Sequence, residues 1–152
     1  TRKESSAASD VYKRQNFMGG GARNVTFRDS AIRNTVKQGV IMTLDYHDPN
    51  AILDYKRSTV PGQFRDIRVA NVTIEDAAGA AIQVKGDSAH DAFHENVAFA
   101  LVRFKGRAGA QIDGLRNSSF SDVSFAGAEG DPWNIEGSEG LRFDRVEPQP
   151  RQ

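Results

Sequence analysis

Short segments along the chain share one pattern of hydrophobic and polar positions. Each begins with Asn or Asp and then places β-branched or aromatic residues mostly at alternate positions, the spacing that puts strand side chains on one face. The segments are Asn24–Ile32, Asp66–Ile74, Asn96–Phe104 and Asn117–Phe125, with a degenerate fifth copy at Gly140–Val146. The pattern predicts one strand that recurs along the chain.

The intervals between the copies predict how these strands are arranged. The copies that begin at 96 and 117 are 21 residues apart, and the fifth begins 23 residues later. The first two copies are 42 residues apart, which we interpret as two turns of 21 residues with an eroded middle copy. Strands that recur every ~20–25 residues are typical of a solenoid, in which each turn, or coil, covers its neighbour. We therefore expect an all-β fold, a right-handed parallel β-helix of about five to six coils.

A second, shorter strand is predicted after most copies. Each of these strands ends near a glycine, where the chain turns a corner and positive φ is often needed. They are Val40–Thr43, Ala81–Gly86, Ala110–Gly114 and Trp133–Gly137. Each coil should therefore have at least two sheet faces.

The hydrophobic positions of the repeated strands are expected to stack coil on coil and form the core. They are Val25, Phe27, Ile32, Ile67, Val69, Val72, Ile74, Val97, Phe99, Val102, Phe104, Phe120, Val123 and Phe125.

Composition narrows the function classes. A chain of 152 residues is one domain or a piece of one. Lys plus Arg equals Asp plus Glu at 20 each, so no excess of basic charge indicates nucleic acid or an anionic membrane as partner. No stretch approaches the ~18 apolar residues of a membrane span. The chain has no cysteine, which removes disulfides and thiolate metal sites.

The ends of the chain differ from the repeats. Residues 1–15 show neither the strand alternation nor the apolar run of a signal peptide, and we interpret them as a cloning or sequencing scar or a disordered leader. Residues 16–148 are then the C-terminal coils of a parallel β-helix, and 149–152 form a tail.

The order of several phrases carries a family resemblance. Gly19–Ser30, Val40–Tyr46, Pro61–Ile74 and Gly114–Phe120 follow one another as in the C-terminal part of polygalacturonases, glycoside hydrolase family 28. The chain resembles bacterial exo-acting members over about residues 18–148. The resemblance implies hydrolysis of the α-1,4-galacturonosyl links of pectin with inversion, a secreted or periplasmic location, no cofactor and a monomeric parent protein.

The catalytic motifs that the resemblance implies are not in this chain. They are Asn-Thr-Asp, an Asp-Asp pair, Gly-His-Gly and Arg-x-Lys, and the sequence contains none of the first three, nor Arg-x-Lys before Gly19. We therefore assign no catalytic residue, expect the N-terminal catalytic coils to be missing, and expect the chain alone to be inactive. Its open first coil should favour self-association through an unpaired strand edge.

The resemblance implies one substrate-binding residue, Tyr46, at the end of the Val40–Tyr46 phrase. A phenol suits this role because its ring lies against a sugar face while its hydroxyl bonds a carboxylate or a sugar hydroxyl. The alternative is an ordinary aromatic residue at a strand end.

Other polar groups are weaker candidates. Asp45, His47 and Asp48 could supply an acid, a base or a metal ligand, but strand alternation turns the first two away from the tyrosine face. His90 and His94 stand four residues apart, as helical metal ligands do, within a stretch that lengthens one coil. We interpret that stretch as an inserted loop and assign no metal.

Basic side chains near the long connections would suit a polyanionic substrate, although solvated surface charge is the alternative for each. They are Lys56, Arg57 and Lys85. Three further arginines each precede a copy of the repeat and would stack as a ladder, which could bind anions or pair with neighbouring Asp. They are Arg23, Arg65 and Arg116.

Two further features are assigned to structure. The tripeptides that start at Asn24, Asn71 and Asn117 match glycosylation sites, but they recur with the repeat, and stacked asparagines can hydrogen-bond from coil to coil. Trp133 could stack on a sugar or cap the last coil. Capping is favoured because a terminal coil must cover a core that has no further neighbour.

A second class of function stays open beside the glycosidase. A non-catalytic β-helix could bind acidic polysaccharide or serve as an adhesin or structural spike. A calcium-dependent pectate lyase has the same architecture, but the sequence offers no acidic calcium cluster paired with a catalytic arginine.

Overall fold

The computed structural model describes residues 21–44 and 62–151 of the chain. Within them, strands follow one another almost without interruption, and a short 3-10 helix lies at Ser88–His90. The strands are β1 (Gly21–Arg33), β2 (Val40–Thr43), β3 (Gln63–Glu75), β4 (Ile82–Lys85), β5 (His94–Lys105), β6 (Ala110–Asp113), β7 (Leu115–Arg116), β8 (Ser119–Ala126), β9 (Trp133–Glu136) and β10 (Arg142–Glu147).

The strands form two parallel sheets. Sheet A has the order β1-β3-β5-β8-β10, with the short β7 paired to β5, and sheet B has the order β2-β4-β6-β9. Every coil contributes a long strand to sheet A and, in most coils, the next strand along the chain to sheet B. This is the predicted parallel β-helix. The four short strands and the fifth copy of the repeat are confirmed, the latter as β10 beside β8.

The predicted eroded coil between the first two copies is wrong. β1 pairs directly with β3, and Val25 lies opposite Ile67. The interval of 42 residues therefore belongs to one long coil, whose extra residues fall in the connection between β2 and β3. Residues 45–61 of that connection lie outside the described part of the chain. The following coils have the predicted intervals, with Ile67 opposite Val97 and Phe99 opposite Phe120.

The long strands of sheet A bend at residues with positive φ. In β3 these are Asp66 at 56° and Asn71 at 52°, and the pairing with β1 skips both. Asn and Asp tolerate this left-handed conformation because their short polar side chains can hydrogen-bond locally.

These left-handed residues recur in register and form three corner columns. The first corner column is Asn24, Asp66, Asn96, Asn117 and Gly140; the second is Asp29, Asn71, Leu101, Asp122 and Arg145; the third is Asn34, Asp76, Gly106 and Gly127. Side chains bond along the first two columns, from Asn96 Nδ2 to Asp66 Oδ1 at 2.6 Å and from Asn71 Nδ2 to Asp29 Oδ1 at 2.8 Å. The structural assignment of the repeated asparagines is thereby confirmed for Asn71.

Each corner residue shifts the inward and outward alternation by one position. The buried residues of β3 are therefore spaced by three and two rather than by two throughout; they are Phe64, Ile67, Val69, Val72 and Ile74. Without the corners, strict alternation would turn part of this set toward solvent.

The core lies between the sheets and contains eleven of the fourteen predicted residues. The exceptions are all on β1: Val25 is 41% exposed, and Phe27 and Ile32 are partly buried. Among the described residues β1 pairs on one side only, so its inward side chains are covered from one direction. Elsewhere, aromatic rings stack from coil to coil, with ring centroids 5.0 Å apart for Phe99 and Phe120.

Candidate functional site

The predicted substrate residue Tyr46 lies outside the described residues, as do Asp45, His47, Asp48, Lys56 and Arg57. The chain that leads to Tyr46 is described. It runs along β2 at the edge of sheet B, and the backbone N–H of Leu44 donates to the Lys85 carbonyl at 2.9 Å. The described element next to Tyr46 in the chain is therefore β2, at the edge of sheet B.

Two columns of polar side chains lie on the outer face of sheet B along β4, β6 and β9. Along β4, Ile82 and Val84 are buried, so Gln83 and Lys85 project outward. The register places Gln111 and Asn134 beside Gln83, and we call these three residues the amide column. The same register places Asp113 and Glu136 beside Lys85, and we call that set the charged column.

Two shallow depressions adjoin the amide column. The smaller, of about 260 Å³, lies between the two columns. The larger, of about 860 Å³, lies on the other side and is bounded by the turns at 76–80, 106–109 and 131–132. Both are lined by Gln111 and Asn134, so they adjoin each other across the amide column and together form one groove.

The groove offers side-chain hydrogen-bond donors and acceptors. Among the described residues, no side-chain partner is found for the amides of Gln83, Gln111 and Asn134, which leaves their donors and acceptors open to a ligand. A sugar hydroxyl both donates and accepts, as an amide does. Sequence reasoning did not single out this column. The signal is an amide at the outward position that follows the first buried residue in each of three short strands.

His94 lies beneath this face and holds three strands together. It is fully buried; its Nε2–H donates to the Lys85 carbonyl at 3.0 Å, and its Nδ1 accepts the backbone N–H of Phe64 at 3.0 Å. Burial lowers the pKa of His94 to about 4, so the ring is neutral at pH 7. With both ring nitrogens occupied by backbone groups, His94 has a structural role.

The histidine pair considered above is therefore not brought together as a metal site. His90 is exposed on the short 3-10 helix, and its Nδ1 lies 2.7 Å from Asp87 Oδ2. In residues 21–44 and 62–151, no three His, Cys, Asp or Glu side chains cluster as metal ligands would.

The predicted arginine ladder is interrupted by a carboxylate. Arg23 and Arg65 lie opposite each other, but Glu95 lies opposite Arg65, and Arg116 lies opposite Glu95. Arg116 Nε is 3.7 Å from Glu95 Oε1, and its guanidinium lies over the Phe93 ring, 4.9 Å from the centroid. Arg116 therefore pairs with a carboxylate at the edge of a coil. This agrees with the alternative interpretation of the arginines, charge pairing, and not with an anion-binding ladder.

Trp133 caps the core, as predicted, and is not available to stack on a sugar. The residue is 7% exposed on β9, the last strand of sheet B, and its ring packs edge-on against Phe120 and Phe125 with centroids 5.3 and 5.0 Å away. Its Nε1–H donates to the Pro148 carbonyl at 2.7 Å, which ties the C-terminal segment over the last coil.

The described part of the chain contains no helix with the length and hydrophobicity of a membrane span.

Comparison with known proteins gives matches in both sequence and structure, although no family model matches the chain. The chain is 38% identical over 122 residues to an exo-poly-alpha-D-galacturonosidase of Dickeya chrysanthemi, covering 78% of this chain and 20% of that protein. It superposes on the Yersinia enterocolitica family 28 exopolygalacturonase with a TM-score of 0.68 at 39% identity, covering 82% of this chain and 22% of the other.

A second structural match concerns the fold alone. A glycosyl hydrolase candidate from Parabacteroides merdae superposes with a TM-score of 0.52 at 19% identity, covering 96% of this chain and 87% of that protein. The chain spans about a fifth of the length of the two galacturonan-degrading relatives. The parallel coils and the matches to these two exo-acting relatives together show that the chain resembles part of a polygalacturonase in both sequence and fold.

Proposed function

We propose that the protein to which these coils belong hydrolyses the α-1,4-galacturonosyl links of pectin with inversion, and that this chain alone does not. The observation that carries the proposal is the match to the Yersinia enterocolitica family 28 exopolygalacturonase, at 39% identity and a TM-score of 0.68. Both relatives are named as exo-acting enzymes, which favours action at chain ends. Because polymeric pectin is too large to enter a cell, the proposal includes a secreted or periplasmic enzyme.

The expected inactivity of the isolated chain rests on what inversion requires and on the catalytic motifs that the sequence lacks. One carboxylic acid must protonate the leaving oxygen while a carboxylate about 6.5–9.5 Å away activates a water on the opposite face of the sugar. On the outer face of sheet B, Asp113 and Glu136 occupy neighbouring positions of one column, a single strand spacing of ~4.8 Å apart along the backbone. Neither residue stands in one of the motifs that the resemblance implies for catalysis.

The experiment compares this chain with a version extended upstream in its gene, where the proposal expects coils that carry Asn-Thr-Asp, Asp-Asp, Gly-His-Gly and Arg-x-Lys. The readout is the release of reducing ends from polygalacturonate. We expect release by the extended protein and none by the present chain. Turnover by the present chain would refute its inactivity, and an extended protein that binds polygalacturonate without cleaving it would instead establish a non-catalytic binding β-helix.

Tyr46 remains a prediction of the same proposal. In the extended protein, Tyr46→Phe keeps the ring and removes the hydroxyl, so we expect a higher KM with kcat little changed. An unchanged KM would assign Tyr46 to the strand end alone.

A further inference from the structure

We propose that the larger depression on the outer face of sheet B is a subsite for uncharged sugar units. The proposal rests on the proposed function in one respect, that the ligand comes from pectin. Binding itself can be measured without hydrolysis.

Charge argues against a galacturonate carboxylate in this depression. Asp76 and Asp131 lie along its wall. Arg107, the one cation among its described lining residues, is 3.4 Å from Glu129, and Asp131 is 3.6 Å from Arg151, so Asp76 is the lining carboxylate without an ion pair. On the other side of the amide column, the charged column holds one more cation and two more carboxylates. Since like charges brought together oppose binding, a uronate unit is disfavoured here and a neutral unit is not.

Hydrogen-bonding groups suited to a neutral sugar are available in the same depression. Gln111 and Asn134 lie beside each other in the register and project their amides into it. The Asp76 carboxylate forms no hydrogen bond or ion pair with another described residue. Together these groups can donate hydrogen bonds to sugar hydroxyls and accept hydrogen bonds from them. A carboxylate ligand only accepts hydrogen bonds, so it would use only the donors of this set.

The floor of the depression is apolar and preformed. Ala78, Ala80, Ala108 and Pro132 line it, which gives the C–H face of a sugar ring a surface to pack against. The turns of neighbouring coils approach so closely that a Cβ at Gly109 would clash with the Pro132 carbonyl oxygen. Such contact holds the turns in place before a ligand arrives.

The shape of the depression favours a chain rather than a single small molecule. Its lining comes from three successive coils, so it extends over two strand spacings, about 10 Å along the axis of the β-helix. Linked sugar units can follow that axis and bond to the amides of successive coils.

The test is NMR titration of this chain with three oligosaccharides at low salt: fully methyl-esterified oligogalacturonate, a neutral galactose oligomer, and unesterified oligogalacturonate. We expect the signals of Gln111 and Asn134 to shift with an uncharged ligand, and the unesterified one to bind at least threefold more weakly. A response to the ester alone would identify the pectin backbone as the source of the neutral unit, and a response to the galactose oligomer alone would identify neutral side chains.

Variants in the groove test separately the two amide side chains and the effect of charge on ligand binding. Gln111→Ala and Asn134→Ala should each weaken binding of the neutral ligand at least threefold, whereas Ser121→Ala on the outer face of sheet A should not. Gln111→Lys should raise the affinity for unesterified oligogalacturonate, because it adds a cation beside Asp76 and Asp131.

Three results would overturn the proposal: no shift with either uncharged ligand, shifts confined to residues outside the depression, or tighter binding of the unesterified oligomer by the unaltered chain. None of them depends on whether the extended protein hydrolyses pectin, so a failure here is distinct from a failure of the proposed function. Should one alanine variant not fold, the other gives the same comparison.

Discussion

The imidazole of His94 accepts the backbone N–H of Phe64 on the neighbouring coil at 3.0 Å, replacing a backbone acceptor at that point of the sheet. Its other nitrogen donates to the Lys85 carbonyl. Protonation of the ring would place a second proton against the Phe64 N–H, so the bridge requires neutral histidine.

The first prediction concerns acid stability. The folded pKa of His94 is about 4, below the value of 6.5 for an unperturbed histidine, so the unfolded chain takes up the proton first as pH falls. The free energy of unfolding should therefore decrease as the pH falls from 7 towards 4. His94 should account for a loss of about 2 kcal/mol between pH 7 and pH 5. Urea unfolding at several pH values measures it.

The matched variants are His94→Gln and His90→Gln. The first should be less stable at pH 7 and should lose this part of the pH dependence, while the second should retain it because it leaves His94 and its two backbone partners in place. A His94 resonance that titrates near pH 6.5 in the folded protein would contradict the prediction.

Leu101 is the target of a stabilising substitution. It occupies the second corner column at φ 55° and is 58% exposed, where neighbouring coils carry Asn71 and Asp122. The left-handed conformation costs a residue with a bulky Cβ about 1–2 kcal/mol, a cost that Asn largely avoids. Leu101→Asn should therefore stabilise the chain by about 1 kcal/mol in urea unfolding.

Leu101→Ala is the control for that effect. It removes the same exposed apolar side chain but keeps a Cβ without a local hydrogen bond, so little stabilisation is expected. Equal gains from both variants would attribute the effect to exposed hydrophobic surface rather than to the backbone.

Alanine substitutions at two glycines can distinguish the cost of backbone strain from the cost of a steric clash. Gly114 (φ 69°) and Gly130 (φ 76°) are both left-handed, but a Cβ at Gly114 would lie 2.6 Å from the Gly86 Cα, whereas nothing lies within 4 Å at Gly130. Gly130→Ala should cost about 1 kcal/mol from φ alone. Gly114→Ala should cost about 3 kcal/mol, since overpacking adds to the strain. Thermal unfolding of both variants gives the comparison, and similar losses would mean that the contact relaxes freely.

Trp133 provides a test of the cap by fluorescence. It is the one tryptophan in the sequence and is buried, so the folded chain should emit at short wavelength and shift to longer wavelength on unfolding. Trp133→Ala should destabilise by about 3–5 kcal/mol. Trp133→Phe should lose less, because it keeps the ring contacts and gives up the bond to Pro148. Quenching of the native emission by added oligosaccharide would restore the sugar-stacking alternative.

The repeat could be predicted from the sequence because its signals are local. A corner residue such as Asn96, followed by hydrophobic residues at fixed distances, appears in each copy and defines both the strand and its inward face. The interval of 42 residues could not be interpreted in the same way. An eroded coil and a long insertion give the same number, and only the pairing of Val25 with Ile67 distinguishes them.

The site was less predictable because its groups act through distant partners. His94 stands in a polar, inserted stretch, and its burial depends on Phe64, 30 residues earlier in the chain. The sequence does contain the signal for the interrupted arginine ladder. In the copy that begins at Asn96, the preceding residue is Glu95, whereas in the copy that begins at Asp66 it is Arg65. The depression beside the amide column was not, because it arises where turns of three coils meet.

The parallel pairing of successive coils has a mechanical consequence. Hydrogen bonds between coils run along the axis of the β-helix, so a force that pulls the two ends apart along that axis loads one interface after another rather than all at once. Each coil that peels away releases its own length of chain, about 70 Å for the 21-residue interval between β5 and β8 and about 100 Å for the 30-residue interval between β3 and β5. The extension record of a single molecule would thus read out the unequal coil lengths in order.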